Sequence, residues 1–152
     1  MEETEPTKQY TVLLVDDNPN LLKLLSMGLP DLGDFTIVTA EDGIEGLTKC
    51  MELHPDCMVI DVMMPGLNGY QLVRTLRGDP DTADIPLIIL TAMVQDKNKY
   101  VGLASGADQY LCKPVLPSEL SRAIVQAIRV SDEDRVRLLT QLSEQPIEDI
   151  GK

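Results

Sequence analysis

Asp61 ends a short apolar run, Met58-Val59-Ile60, and Pro65-Gly66 follows soon after. A carboxylate placed at the end of a buried strand can attack phosphorus and carry an acyl phosphate. Such an attack gathers negative charge, so it needs cations and hydrogen-bond donors around it. The chain offers them in the same setting three more times. Val12-Leu13-Leu14-Val15 runs into Asp16-Asp17, Leu87-Ile88-Ile89-Leu90 into Thr91, and Tyr110-Leu111-Cys112 into Lys113-Pro114. If these strands lie parallel, three carboxylates, a hydroxyl and an ammonium converge on one rim. Hard oxygen ligands suit Mg²⁺, which keeps several of its waters. Asp16, Asp17 and Asp61 would supply carboxylate contacts to it, and a backbone carbonyl near Met63 would complete the protein's share. Lys113 offers a point charge to a phosphoryl oxygen and Thr91 a hydroxyl donor to another.

The elements that would hold these groups are legible in the hydrophobic pattern. Apolar runs of four to eight residues between turn signals read as buried strands of a parallel sheet. They fall at about Thr11–Val15, Phe35–Thr39, the run ending at Asp61, the run before Thr91, and Asp108–Cys112. Helical stretches separate them. Asn18-Pro19 opens the first, with Leu21, Leu22, Leu24, Leu25 and Leu29 on a broad apolar face, and Pro30 and Gly33 stop it. Asp42-Gly43 opens the second, with Ile44, Leu47, Met51 and Leu53 inward, and His54-Pro55 ends it. Asn68 caps a third carrying Leu72, Val73 and Leu76. Asp96 caps a fourth that includes Tyr100, Val101, Leu103 and Ala104, and Gly106 stops it. Pro117-Ser118 opens a fifth, with Leu120, Ala123, Ile124, Ala127 and Ile128 facing in.

Strand and helix therefore alternate five times, which implies an α/β fold with helices on both faces of a doubly wound, five-stranded parallel sheet. Residues 1–9 read as a flexible lead, 10–129 as the domain and 130–152 as a C-terminal helix and tail. Ser131-Asp132-Glu133-Asp134 has the form of a capping box, with Val136, Leu139 and Leu142 at helical spacing beyond it. That segment is either an extra C-terminal helix or a continuation of the fifth as an extended arm.

Composition narrows the function. The 152 residues carry a formal net charge of −12, which disfavours nucleic acid or an anionic membrane as the direct partner. No apolar run approaches the length of a membrane span. The first eight residues lack the basic and apolar regions of a signal peptide. Cys50, Cys57 and Cys112 have no metal-ligand spacing and read as reduced, core-packed thiols of a cytoplasmic protein. His54, the only histidine, reads as a surface residue beside a helix-ending proline.

The motif set Asp16-Asp17, Asp61, Thr91 and Lys113-Pro114 resembles that of response-regulator receiver domains of two-component signalling. VIDVMMPGLNG, IPLIILTA and GLASGADQYLCKP look like that family's signature phrases, and the resemblance runs from about Tyr10 to Arg129. It implies a flavodoxin-like, chemotaxis-regulator-like sheet of strand order 2-1-3-4-5, with its switch point between strands 1 and 3. It also implies that Asp61 takes a phosphoryl group from a phosphohistidine on a histidine kinase or histidine phosphotransfer protein, with Mg²⁺. Thr91 and Tyr110 match the family's switch pair, and Lys113-Pro114 its lysine–proline pair, whose peptide bond is typically cis. Met63 and Met93 match variable positions near the phosphoryl group that tune its lifetime. The output face would be the fourth helix, fifth strand and fifth helix, read by a downstream protein or output domain. The domain would act as a monomer or homodimer. It would be no enzyme apart from catalysing its own phosphorylation and dephosphorylation. With no room for a DNA-binding or large catalytic domain after Arg129, the chain reads as a stand-alone receiver or the front of a longer protein.

Plainer readings exist for each residue. A strand-end aspartate is a common turn residue, Asp16 or Asp17 could simply cap a helix, and Lys113 could be solvated. Thr91 could be a cap, Tyr110 a half-buried strand residue, and Met63 ordinary packing. Two rival functions share parts of the pattern. A haloacid-dehalogenase-like phosphatase needs a second aspartate two residues after its nucleophile, whereas Asn18 follows Asp16 and Met63 follows Asp61 at that spacing. A binding module of the same fold that is never phosphorylated would not need the full set of Asp16, Asp17, Asp61, Thr91 and Lys113.

Overall fold

The computed structural model describes residues 9–92 and 106–144. The expected fourth helix from Asp96, the Met93 position, the lead before Gln9 and the tail from Gln145 lie outside the described residues.

Five strands form one sheet: β1 (Tyr10–Val15), β2 (Phe35–Ala40), β3 (Cys57–Ile60), β4 (Leu87–Thr91) and β5 (Gln109–Cys112). Their order is β2-β1-β3-β4-β5, and every adjacent pair is parallel. Alternate side chains on each strand serve opposite faces, the period of two that a pleated strand imposes. Val12, Leu14, Cys57, Val59, Ile88 and Leu90 pack on one face with Leu22 and Leu25 of α1 (Pro19–Gly28). Leu120, Ile124 and Ile128 of the C-terminal helix (Pro117–Glu144) join that layer. Leu13, Val15, Met58, Ile60, Leu87 and Ile89 pack on the other face with Cys50 of α2 (Gly43–Leu53) and Leu72, Val73 and Leu76 of α3 (Gly69–Arg77). The central strands carry near-continuous apolar runs, Val12–Val15, Cys57–Ile60 and Leu87–Leu90, because both of their faces are covered.

The helix starts follow local chemistry. The Asn18 side chain accepts from the Asn20 and Leu21 N–H groups, and Pro19 takes the first turn, where no amide is missed. At α3, Asn68 and Gln71 form a reciprocal capping box. His54 closes α2 in the left-handed conformation at φ 47°, exposed to solvent.

Three expectations need correction. Ile44, Met51 and Leu53 are exposed, and α2 instead buries Gly43, Gly46 and Cys50, with Leu47 partly buried. A Cβ on Gly46 would lie 2.9 Å from both Val15 methyls, so the helix sits too close to β1 for a larger residue. Leu24 of α1 is likewise exposed. Cys112 is exposed rather than core-packed, because β5 is an edge strand, whereas Cys50 and Cys57 are buried. Of the two readings left open for the C-terminal segment, the continuation of the fifth helix holds: Pro117–Glu144 is continuous, and Ser131–Asp134 does not cap a separate helix. Serine and aspartate inside a helix cost a few tenths of a kcal/mol each, less than interrupting the backbone ladder beyond the buried Ala127 and Ile128.

Candidate functional site

The C-terminal ends of β1 and β3 lie side by side, with Val15 opposite Ile60. The residues that follow, Asp16 and Asp61, are therefore neighbours where the chain leaves the sheet. Their backbones stay tied to it, since Asp16 N–H donates to Ala40 and Asp61 N–H to Val15. This is the position at which open α/β sheets bind ligands. Both side chains are buried, while Asp17 is exposed at the mouth. One carboxylate oxygen from each of Asp16, Asp17 and Asp61 lies within 4.8 Å of the others.

Lys113, at the end of β5, reaches across to this group. Its Nζ lies 2.8 Å from Asp16 Oδ2 and 3.5 Å from Asp61 Oδ1. The Lys113 N–H donates to the Thr91 carbonyl, which fastens the lysine to the end of β4, and the Lys113–Pro114 peptide is cis. Asp16 thus holds the lysine more closely than Asp61 does, and its Oδ1 also accepts from the Asn18 N–H at 2.9 Å. Asp61 is held differently. Burial, then the Asp16 charge, push its pKa up to about 6, against the opposing pull of Lys113 and of a hydrogen bond from the Met63 amide. Burial acts to lower the Lys113 pKa, but the Asp16 hydrogen bond and charge, then Asp61, raise it on balance. The site thus holds three acids against one ammonium, with hard oxygens facing a common centre. That donor set fits Mg²⁺.

Thr91 is fully buried at the end of β4, on the sheet face that also carries Leu87 and Ile89. Tyr110 pairs with Ile89 in register and so shares that face. It is half-buried, with Tyr70 of α3 nearby on the same core layer. Burial, first, and Tyr70 raise the Tyr110 pKa. Met63 is exposed in the loop after β3, where its side chain borders a groove with Val62, Met64, Pro65, Asn68 and Tyr70.

Three contributors escaped the sequence reading. Gly69 starts α3 against the Asp61 backbone, and a Cβ there would sit 2.3 Å from the Asp61 carbonyl oxygen. Tyr70 packs beside Tyr110 on the same core layer. Arg77, at the end of α3, donates to the carbonyls of Gly106, Ala83 and Ile85 and to the Asp108 carboxylate. The Gly69 signal was present in the sequence as a glycine after a helix cap; Tyr70 depends on a distant neighbour, and Arg77 on Gly106 and Asp108, 29 and 31 residues away, as well as on the nearby Ala83 and Ile85 carbonyls.

Residues 12–125 match the model of the response regulator receiver domain. The DNA-binding response regulator MtrA of Mycolicibacterium smegmatis is 36% identical over 134 residues, 88% of this chain and 57% of its own length. The DNA-binding dual master transcriptional regulator RpaA of Synechocystis is 36% identical over 121 residues, covering 80% of this chain and 50% of its own. The chain thus spans about half the length of the curated relatives it matches. Among solved structures, a response regulator of Chloroflexus aurantiacus superposes with a TM-score of 0.76 at 33% identity, over 80% of this chain and 99% of that one. The Vibrio cholerae chemotaxis protein CheY4 does so with a TM-score of 0.74 at 31% identity, over 79% and 99%. A flavodoxin-like sheet in the order 2-1-3-4-5, an acid cluster at its switch point and a family match across most of the chain lead to one assignment: the chain belongs to the response-regulator receiver domains of two-component signalling.

Proposed function

We propose that the domain takes a phosphoryl group from a phosphohistidine onto Asp61 and passes the change to a partner through the face around β5 and the C-terminal helix. The observation that carries this is the convergence of Asp16, Asp17 and Asp61 within 4.8 Å, with Lys113 bridging two of them.

An Asp61 oxygen forms the new bond to phosphorus as the bond from phosphorus to the histidine nitrogen breaks, and the imidazole leaves with the electron pair. Asp61 needs no base, because at neutral pH its pKa of about 6 leaves it mostly ionised. Lys113 places an ammonium beside the nucleophile, where a phosphoryl oxygen carries the developing charge. Thr91 supplies a hydroxyl from the neighbouring strand end. Asp16, Asp17, Asp61 and the Met63 carbonyl would hold Mg²⁺, which when bound supplies the positive charge that lets an anionic carboxylate approach an anionic phosphate. The same residues serve the return reaction with water, so the only chemistry assigned to the domain is its own phosphorylation and dephosphorylation.

On the output side, Thr91 and Tyr110 share a face of the sheet and act as the switch pair. A Thr91 hydroxyl drawn toward the phosphoryl group vacates space behind β4 for the Tyr110 ring. The donor is a histidine kinase or histidine phosphotransfer protein, and the reader is a protein or an output domain. DNA binding belongs to the names of relatives of which this chain spans about half; within these residues we assign no nucleic-acid or membrane contact. Among the described residues no helix is long and apolar enough to cross a membrane, and we place the domain in the cytoplasm, as monomer or homodimer.

The deciding experiment is intact-mass spectrometry after acetyl phosphate and Mg²⁺. One phosphoryl group should add to the parent and none to Asp61→Asn, whose amide is a poor nucleophile. Persistent labelling of the variant would move the acceptor elsewhere, with Asp17 the first suspect.

A further inference from the structure

The C-terminal helix is 28 residues long, about 42 Å at the α-helical rise. Its first half buries one side against the sheet through Leu120, Ala123, Ile124, Ala127 and Ile128. Among the described side chains Ile128 is the last of these, yet the helix runs on to Glu144. Helical turns without packing are marginal in water, so the far half gains from a second surface. On the side away from the sheet stand Val125, Arg129, Asp132 and Val136, all exposed, the two valines by 38% and 63%. The steps between them are four, three and four residues, the spacing that keeps one stripe along a helix seam. Among the described residues neither Arg129 nor Asp132 has an ion-pair partner. The stripe has the same apolar ends in either direction, and reversal exchanges its charges. Antiparallel apposition of two copies therefore sets Val125 against Val136 of the partner subunit and Arg129 against Asp132 of the partner subunit, each contact occurring twice. That is the self-complementarity a two-fold interface requires. Parallel apposition would instead set arginine on arginine and aspartate on aspartate.

We infer that this stripe is a homodimer interface, in which the C-terminal helices of two copies pack antiparallel. The occupant is a second copy because the stripe answers its own charges. The inference does not draw on the phosphotransfer reading and stands or falls apart from it. An exposed charge pair contributes a factor of up to about five in affinity, so the pairing is weak and depends on concentration. Reversing one charge turns both pairs into like-charge contacts, which carry a larger penalty than the loss of a pair.

The test is sedimentation equilibrium of the full chain, parent and variants, from micromolar to millimolar. The parent should pass from monomer to dimer as concentration rises. Arg129→Asp and Asp132→Arg should each weaken self-association at least about tenfold. Mixed in equal amounts, the two variants should recover the parent affinity, because each supplies the charge that the other lacks. Val136→Glu should weaken the dimer as well. Because Val136 is exposed, that variant should melt as the parent does at concentrations where both are monomers. A parent that stays monomeric throughout overturns the inference. So does a dimer that ignores these substitutions, since its interface then lies elsewhere. Loss in both charge variants without recovery on mixing overturns it too, because that pattern reads damage to the fold.

Discussion

Both ends of the sheet are acidic, and they use their carboxylates in opposite ways. At the end where the strands begin, the acids are absorbed into the backbone. Asp56 accepts from the Thr11 N–H at 2.8 Å. Asp108 accepts from the Leu87 N–H and pairs with Arg77, whose other nitrogens hold three carbonyls. At the end where the strands finish, Asp16, Asp17 and Asp61 face one another, and a single lysine spans two of them. The first arrangement satisfies peptide groups at strand starts, which would otherwise be costly to leave unpaired. The second leaves negative charge in excess, and burial, then the Asp16 charge, raise the pKa of Asp61. A count of acidic residues does not separate the two ends; whether the carboxylates are spread along strand starts or face one another does.

That contrast can be broken most directly by labelling. Asp61→Asn should lose acetyl-phosphate labelling outright, whereas Asp56→Asn, at the other end, should keep it while melting at a lower temperature. Equal loss in both would mean that labelling reports folding rather than a site.

Stability should respond to the same pair in opposite directions. The folded-state pKa of Asp61 stands at about 6, above its unfolded value, so its ionisation opposes folding. The contribution is fully favourable below about pH 4 and is lost as pH rises through about 6. In Mg²⁺-free buffer at pH 8, Asp61→Asn should therefore be more stable than the parent, by an amount of order 2 kcal/mol that shrinks as pH falls through that window. Thermal melts across pH 5–8 measure it, and a pH-independent difference would contradict the excess-charge reading.

Arg77→Ala tests the absorbed end. It strands three carbonyls and the Asp108 carboxylate, and partial exposure of the pair limits the loss to about 2 kcal/mol. Denaturant unfolding should show that loss with the Mg²⁺ response intact. The smallest effect belongs to the metal. At about ten times its dissociation constant, Mg²⁺ should add roughly 1.4 kcal/mol to the parent, and much less to Asp17→Asn. An equal gain in both would place the ion away from the acid cluster.

What the sequence determined by itself was whatever depends on near neighbours. Strand period, the Asn18 and Asn68 caps, and the strand-end placement of Asp16, Asp61, Thr91 and Lys113 are written in adjacent residues, because pleating, capping and turns are short-range effects. The inward positions Leu72, Val73, Leu76, Leu120 and Ile124 followed from helical spacing for the same reason. The reading of α2 failed where side-chain size mattered more than hydrophobicity. Close approach to Val15 admits only Gly46, which rotates Ile44, Met51 and Leu53 into solvent. Of the two readings open at Ser131, the continuous helix holds, since a local capping signal worth about 1 kcal/mol cannot interrupt a helix already nucleated by buried turns. Tertiary structure alone decided the pairings: Lys113 with Asp16 more closely than with Asp61, and Arg77 with Asp108. Those partners lie tens of residues apart in the chain, and which donor reaches which acceptor is fixed by strand order and helix placement, about which no short window of sequence carries information.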